Sequence, residues 1–244
     1  MKDLYKLSRD LYDEAFPGED ERFTEALFAL GYPEHLIAMG EGGDLASMLF
    51  ALPYQIVTKD GVVDADYLYA VATAKAHRSK GYAKKLLKRA ASRGKPVFLR
   101  PMSPSLFDFY KSAGFTPFSP YREWQGKAEE GDTEGFKALS KTEYLTARDG
   151  FLQPPYCRMT KDFLSLSYSL GGAVGLDGRF AALYEKENGT VLFKEWWGDV
   201  DLAPRAAAFL GATDFTARTP DKNGTPFGVG VGVPEGTVFL AALD

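Results

Sequence analysis

The chain has 244 residues, 45% hydrophobic and 25% charged, with a net charge of -4; this balance belongs to globular proteins and excludes disordered, collagen-like and coiled-coil chains. Its longest apolar stretch, around Leu45–Tyr54, is shorter than the ~20 residues a membrane helix needs, and no apolar leader opens the sequence, so neither a membrane nor a secretory route is expected. Cys157 is the single cysteine, so no intrachain disulfide can form, which fits a reducing cytoplasm.

Leu4, Leu7, Leu11 and Ala15 recur at helical spacing until Phe16–Asp20 breaks the pattern. A second helix carries Phe23, Leu27, Phe28 and Leu30 and stops at Gly31-Tyr32-Pro33. His35–Gly40 and Leu45–Gln55 read as a hairpin about Gly42-Gly43-Asp44, and Asp66–Thr73 as a buried strand. Over Lys80–Ser92, Tyr82, Ala83, Leu86, Leu87 and Ala90 share one helical face, with Lys84, Lys85 and Lys88 on the other. Gly94 and Pro96 end that helix, and Val97–Arg100 is a short strand. Ser105 and Asp108 have capping-box spacing, which predicts a helix through Phe109, Tyr110 and Ala113 ending at Gly114. A strand then covers Phe115–Trp124.

The polar run Glu129–Gly135 reads as an exposed loop. Helices are expected over Ser140–Asp149, Thr160–Leu170 and Leu202–Leu210, and strands over Arg179–Lys186, Val191–Trp197, Phe215–Arg218 and Val229–Leu243. Asn188-Gly189 suits a type I′ hairpin turn. The order hairpin, strand, helix, strand loosely echoes the first part, so two domains are expected, residues 1–150 and 151–244.

Charge is distributed unevenly. Acids outnumber Lys and Arg up to Asp66, but Tyr67–Arg100 holds 10 Lys/Arg and no acid. Such a run is either a solvated helix face or a surface selected by an anionic ligand. The local pattern favours the ligand. The strand ending Val71-Ala72-Thr73 enters a short loop, Arg78-Ser79-Lys80-Gly81, that opens directly into the amphipathic helix at Tyr82-Ala83. The first amides of a helix lack intrahelical partners and carry partial positive charge, and glycine lets a phosphate approach closely.

These residues resemble a known family. Arg78-x-x-Gly81-x-Ala83 after a strand is similar to the Arg/Gln-x-x-Gly-x-Gly/Ala signature of the GNAT superfamily of N-acetyltransferases. Downstream, Ser105-x-x-x-x-Tyr110-Lys-Ser-Ala-Gly114-Phe115 resembles the helix that carries a tyrosine before Gly-Phe in that family. The likeness spans Leu4–Trp124, and the layout also resembles the enhanced-intracellular-survival-like subgroup, whose catalytic half is followed by a degenerate GNAT-like half. The resemblance implies an α/β fold, a central mixed β-sheet flanked by helices, followed by a smaller GNAT-like α+β half without a coenzyme motif.

The resemblance also implies roles. Arg78, Ser79, Lys80, Gly81, Tyr82 and Ala83 would hold the pyrophosphate of acetyl-CoA, the co-substrate. Val71, Ala72 and Thr73 would line the pantetheine arm, and Ser105 would contact the coenzyme or simply cap its helix. Tyr110 would protonate the leaving thiolate, against a plain core role like that of Phe107 or Phe109. A primary amine at neutral pH lies about 3.4 units below its pKa, a cost of about 4.6 kcal/mol that requires a proton acceptor. The resemblance offers the terminal carboxylate of Asp244 for this, against a frayed terminus. His77, His35 and Cys157 carry no expected role; Trp196 and Trp197 read as core. No metal site is expected from two histidines and one cysteine.

The expected activity is therefore transfer of an acetyl group from acetyl-CoA to a primary amine by direct attack. The acidic first third (Asp13, Glu14, Glu19, Asp20, Glu21) favours a cationic small-molecule or peptide acceptor. The alternative is a catalytically silent acetyl-CoA-binding regulatory or scaffold protein. Nucleic acid is not expected as a partner, because no aromatic stacking platform accompanies Lys84, Lys85 and Lys88. Homo-oligomerisation is left open.

Overall fold

The computed structural model describes residues 3–243. They pack as two compact units, one of residues 3–56, Val62–Pro117 and Val229–Pro234, the other of Val57–Gly61, Phe118–Gly228 and residues 235–243.

The first unit opens with helices α1 (Leu4–Ala15) and α2 (Glu21–Gly31). Each starts under an aspartate cap: Asp3 accepts the Tyr5 amide, and Asp20 accepts the Phe23 amide. Strands β1 (Leu36–Glu41) and β2 (Asp44–Thr58) form the expected hairpin, turned by Gly42 and Gly43, both at positive φ. Strand β3 (Gly61–Thr73) comes next, then α3 (Tyr82–Ala91) and β4 (Val97–Leu99), which pairs parallel to β3. A short helix α4 (Leu106–Ser112) completes the set, and Val229–Val231 of a later strand pairs antiparallel with β4. The apolar face of α3 (Leu86, Leu87, Ala90) is buried against Ile37, Leu49, Leu68 and Leu99. Each fully buried leucine there stabilises by ~1.5–3 kcal/mol.

The second unit holds most of β5 (Thr116–Lys127), then β6 (Lys137–Leu139), α5 (Lys141–Phe151), β7 (Tyr156–Arg158), α6 (Lys161–Leu170), β8 (Gly171–Leu176), β9 (Phe180–Glu187), β10 (Thr190–Gly198), α7 (Ala203–Phe209), β11 (Asp214–Pro220) and the start of β12 (Thr225–Val231). The expected boundary at 150 falls inside α5, which begins with a full capping box between Ser140 and Glu143. Strands β8, β9 and β10 pair antiparallel in sequence, β10 and β11 run parallel across α7, and β11 pairs antiparallel with β5. The series β8-β9-β10-α7-β11 thus repeats the series β1-β2-β3-α3-β4.

Three expectations change. The strand expected over Val229–Leu243 ends at Val231, because Gly232 and Gly236 take positive φ and Pro234 has no amide to donate. Residues 237–243 are instead irregular and mostly buried. They are held by Val238 N–H to Pro155 O and by Ser119, whose hydroxyl donates to Phe239 O and accepts from Phe239 N–H. Ser105 does not cap α4: its backbone is already helical (φ -65, ψ -21), and its hydroxyl pairs with that of Ser103 at 2.9 Å. Turn bonds from Leu106 and Phe107 back to Ser103 and Pro104 start the coil one step early, so the Ser105 side chain cannot reach the amide three residues on. Strand β8 is the third change, since its glycines hide it in the sequence. At Gly171 a Cβ would lie 1.9 Å from Tyr184 O, so only glycine permits this approach.

Candidate active site

The site grows out of an irregularity in β3. Ala70 sits at φ 53 in the middle of the strand, where an L-residue costs ~1–2 kcal/mol. The kink breaks the alternation of side chains: Leu68 and Val71, three positions apart, both pack on the cluster that covers α3 and α4. Beyond the kink the backbone groups sort by edge. Ala72 O accepts the Ser47 hydroxyl at 2.6 Å and Ala74 N–H reaches Ala46 O at 3.0 Å, both toward β2. By alternation Val71 and Thr73 turn their backbone groups to the opposite edge. Along that edge the parallel register with β4 joins Asp66 to Val97 and Tyr67 to Phe98 and stops. The two strands part after Tyr67, and the part of β3 that carries Val71 and Thr73 has an open edge.

The loop after β3 is shaped from within. Glu14 of α1 accepts the Lys75 amide at 2.8 Å, Lys75–His77 form one turn of 3-10 helix, and Arg78 Nε donates to Thr73 O at 3.2 Å. The ring of His77 meets Tyr82 edge-on at 5.8 Å, and its Nδ1 lies 3.5 Å from Lys80 Nζ. Ser79 and Gly81 both take positive φ (63 and 80). Gly81 is the N-cap of α3, and no side chain caps that helix. Its first amides therefore face outward with positive partial charge, beside an Arg78 guanidinium that has no acidic partner among the described residues. A Cβ built on Gly81 meets nothing within 4 Å, so the space over the helix start is open. This donor set fits an anionic, phosphate-bearing ligand.

Tyr110 of α4 is only 6% exposed and lies in the same cluster as Leu68, Leu86, Leu87 and Leu99. The structure therefore brings Tyr110 and Val71 onto one cluster beside the parting of β3 and β4. Its hydroxyl has no hydrogen bond to any described residue. Burial pushes the phenol up to about 12, so it stays protonated across physiological pH. Ser105 is exposed and its hydroxyl is occupied with that of Ser103, with no hydrogen bond among the described residues to β3 or the loop. Asp244 lies outside the described residues. Cys157 is fully buried with its thiol pushed up by burial, Trp196 and Trp197 are core, and no group of three or more His, Cys, Asp or Glu suited to a metal occurs among the described residues. No helix among them is long and apolar enough to cross a membrane. Sequence reasoning read Glu14 only as part of an acidic surface and passed over Ser47; that they fix the loop and the strand carries no spacing signal, since both act across distant segments.

Residues 2–118, a little under half of the chain, match the acetyltransferase (GNAT) domain family. The fold recurs in solved structures. Over 94% of this chain and 70% of theirs, the likeness to a GCN5-related N-acetyltransferase from Kribbella flavida has a TM-score of 0.63 at 13% identity. A GCN5-related N-acetyltransferase from Anabaena variabilis gives 0.63 at 13% identity, covering 93% of this chain and 70% of that one. Eis1 from Mycobacterium abscessus gives 0.61 at 11% identity, covering 91% of this chain and 64% of its own. At such identity the likeness speaks for the fold. None of the curated proteins matches the sequence.

Proposed function

We propose that this GNAT acyltransferase moves an acetyl group from acetyl-CoA to a primary amine by direct attack within a ternary complex. The observation that carries the reading is the pairing of an open β3 edge after Tyr67 with an uncapped α3 start at Gly81. An extended thioester arm can pair with Val71 and Thr73, while the amides of Tyr82 and Ala83, with Arg78 and Lys80, hold the pyrophosphate. Acetyl-CoA supplies the acyl group as an activated thioester. An outward amide of β3 near the Ala70 kink can hold the carbonyl oxygen as charge develops on it.

In the transfer, a C–N bond forms as the C–S bond breaks, and the thiolate must take up a proton. Tyr110 is suited to donate a hydrogen bond there. Its phenol, held at about 12, is a weaker acid than a thiol near 8.5, so it stabilises the thiolate by hydrogen bonding and solvent completes the neutralisation. The acidic α1–α2 region favours a cationic acceptor. Its amine must lose a proton to a nearby base; Asp244 remains the candidate that the family resemblance offers.

Calorimetric titration with acetyl-CoA tests the first half of this reading. Wild type should bind in the micromolar range, and Gly81→Glu should weaken binding ~100-fold or more, or ~2.7 kcal/mol. No binding by folded wild type would reduce Arg78–Ala83 to an ordinary helix start. Thiol release with a panel of polyamines, aminoglycosides and peptide amines tests the second half. Coenzyme binding with no release on any amine would favour the silent scaffold.

A further inference from the structure

A second concave surface lies at the far end of α3. A cavity of about 490 Å³ is lined by Leu4, Leu36, Ile37, Ala38, Arg89 and Arg93, with Glu34 at its side. Arg89, near the end of α3, is 7 residues beyond Tyr82, so at 1.5 Å per residue the cavity lies ~10 Å along the helix axis from the helix start at Gly81. It is separate from the site described above.

Three features of this cavity converge. Strand β1 is the outermost strand of its hairpin, paired on one side only, with β2. Ala51 N–H donates to His35 O, so His35 faces β2, and by alternation Ile37 does as well. The backbone groups of Leu36 and Ala38 then point to the unpaired edge. The Leu36 amide is spent on Pro33 O at 3.3 Å. Leu36 C=O and both groups of Ala38 remain available, the template onto which an extended chain adds as a strand. Secondly, Leu4, 43% exposed, joins Leu36 to give the cavity apolar walls. Thirdly, the Arg89 guanidinium has no ion pair or hydrogen bond among the described residues, and Arg93, still 38% exposed, is ion-paired with the buried Asp66 at 3.3 Å while Lys95 holds the same carboxylate at 2.6 Å. With Glu34 and Asp66 set against Arg89, Arg93 and Lys95, the rim keeps an excess of positive charge.

We infer that this edge is a docking site for an extended peptide that adds to β1 as a strand and places a carboxylate, its C-terminus or an acidic side chain, on Arg89 and Arg93. Free main-chain groups alone would take any strand; the arginine without a partner selects an acidic one.

The probe is a fluorescein-labelled pentapeptide, Val-Thr-Val-Thr-Glu with a free C-terminus, read by anisotropy, with 15N-labelled protein to locate it. Binding should shift the Ala38 amide, weaken as salt rises and fall at least tenfold with Arg89→Glu or with the Gln, C-terminally amidated peptide. Ala38→Pro removes an amide that faces away from β2 and should abolish binding while the β1–β2 hairpin stays intact, as amide shifts of Ile37 and Leu49 report. Acetyl-CoA titration of both variants should match wild type and serves as the folding control. The inference is overturned if the folded wild type does not bind, or if Arg89→Glu binds as well as wild type. It is equally overturned if succinate displaces the peptide at matched concentration, which would make this a small-anion site. Self-association of the peptide-free chain that Ala38→Pro removes would assign the edge to a second copy instead.

Discussion

The two β-α-β segments of this chain share a topology and differ in what they do with charge. In β3-α3-β4 the helix starts at an uncapped glycine beside Arg78, which has no acidic partner among the described residues. In β10-α7-β11 the corresponding turn reads Gly198-Asp199-Val200-Asp201, and it is closed from within. The Asp199 carboxylate accepts the Asp201 amide at 3.2 Å and holds Arg179 at 2.7 Å, which keeps it below the usual carboxylate range. Both strands that precede the helix are irregular. Strand β3 is kinked at Ala70, and the register of β10 shifts between Phe193 and Glu195. After the shift, β10 turns its charges inward: Glu195 is held by Arg148 at 2.7 Å and by the Tyr144 hydroxyl, and Lys194 by Glu185. Arg148 also donates to Cys157 O at 2.9 Å and lies over the Trp197 ring at 5.2 Å. One segment leaves its donors open for a ligand; the other satisfies its charges with its own side chains. A shared topology therefore does not carry the function with it.

The hardest way to break this contrast is inside the second segment. Arg148 and Glu195 are both fully buried, so Arg148→Met should destabilise the fold by ~3–5 kcal/mol in urea unfolding by stranding a carboxylate. Adding Glu195→Leu should restore most of that loss; a double variant as unstable as the single one would show that the network also has a packing role.

Next in size is Tyr110→Phe, expected to lower kcat ~10–100-fold with acetyl-CoA affinity unchanged. Full turnover in the variant would leave Tyr110 as core alone. Because burial raises this phenol from 10 to about 12, its stabilising contribution is complete below pH 10 and is lost as pH climbs toward 12. Turnover should show no step from Tyr110 between pH 6 and 9, and thermal melts should fall across pH 10–12 less steeply in Tyr110→Phe.

The smallest effect sharpens the comparison from the other side. Asp199→Ala removes the cap of the 3-10 turn Val200–Leu202 that leads into α7 and should cost about 1 kcal/mol, with acetyl-CoA binding stoichiometry still at one. A second molecule of coenzyme bound by this variant would mean that the aspartate alone silences the second segment.

Much of this was legible in the sequence. Periodicity gave α3 and its apolar face, because an amphipathic helix writes its packing at 3.6-residue spacing. The motif Arg78-x-x-Gly81-x-Ala83 marked the proposed phosphate site, because the backbone and charge that such a site requires sit within six consecutive residues. Short turns such as Gly42-Gly43 and Asn188-Gly189 were legible for the same reason. The features that escaped are non-local. Whether Ser105 caps α4 depended on a turn begun at Ser103. That Gly171-Gly172 opens a strand depended on the carbonyl of Tyr184. The sequence by itself determined the local elements and the basic, glycine-opened loop after β3. The tertiary structure decided that β3 kinks at Ala70, parts from β4 after Tyr67 and is braced by Glu14, since each is an interaction between segments distant in the chain, where spacing carries no signal.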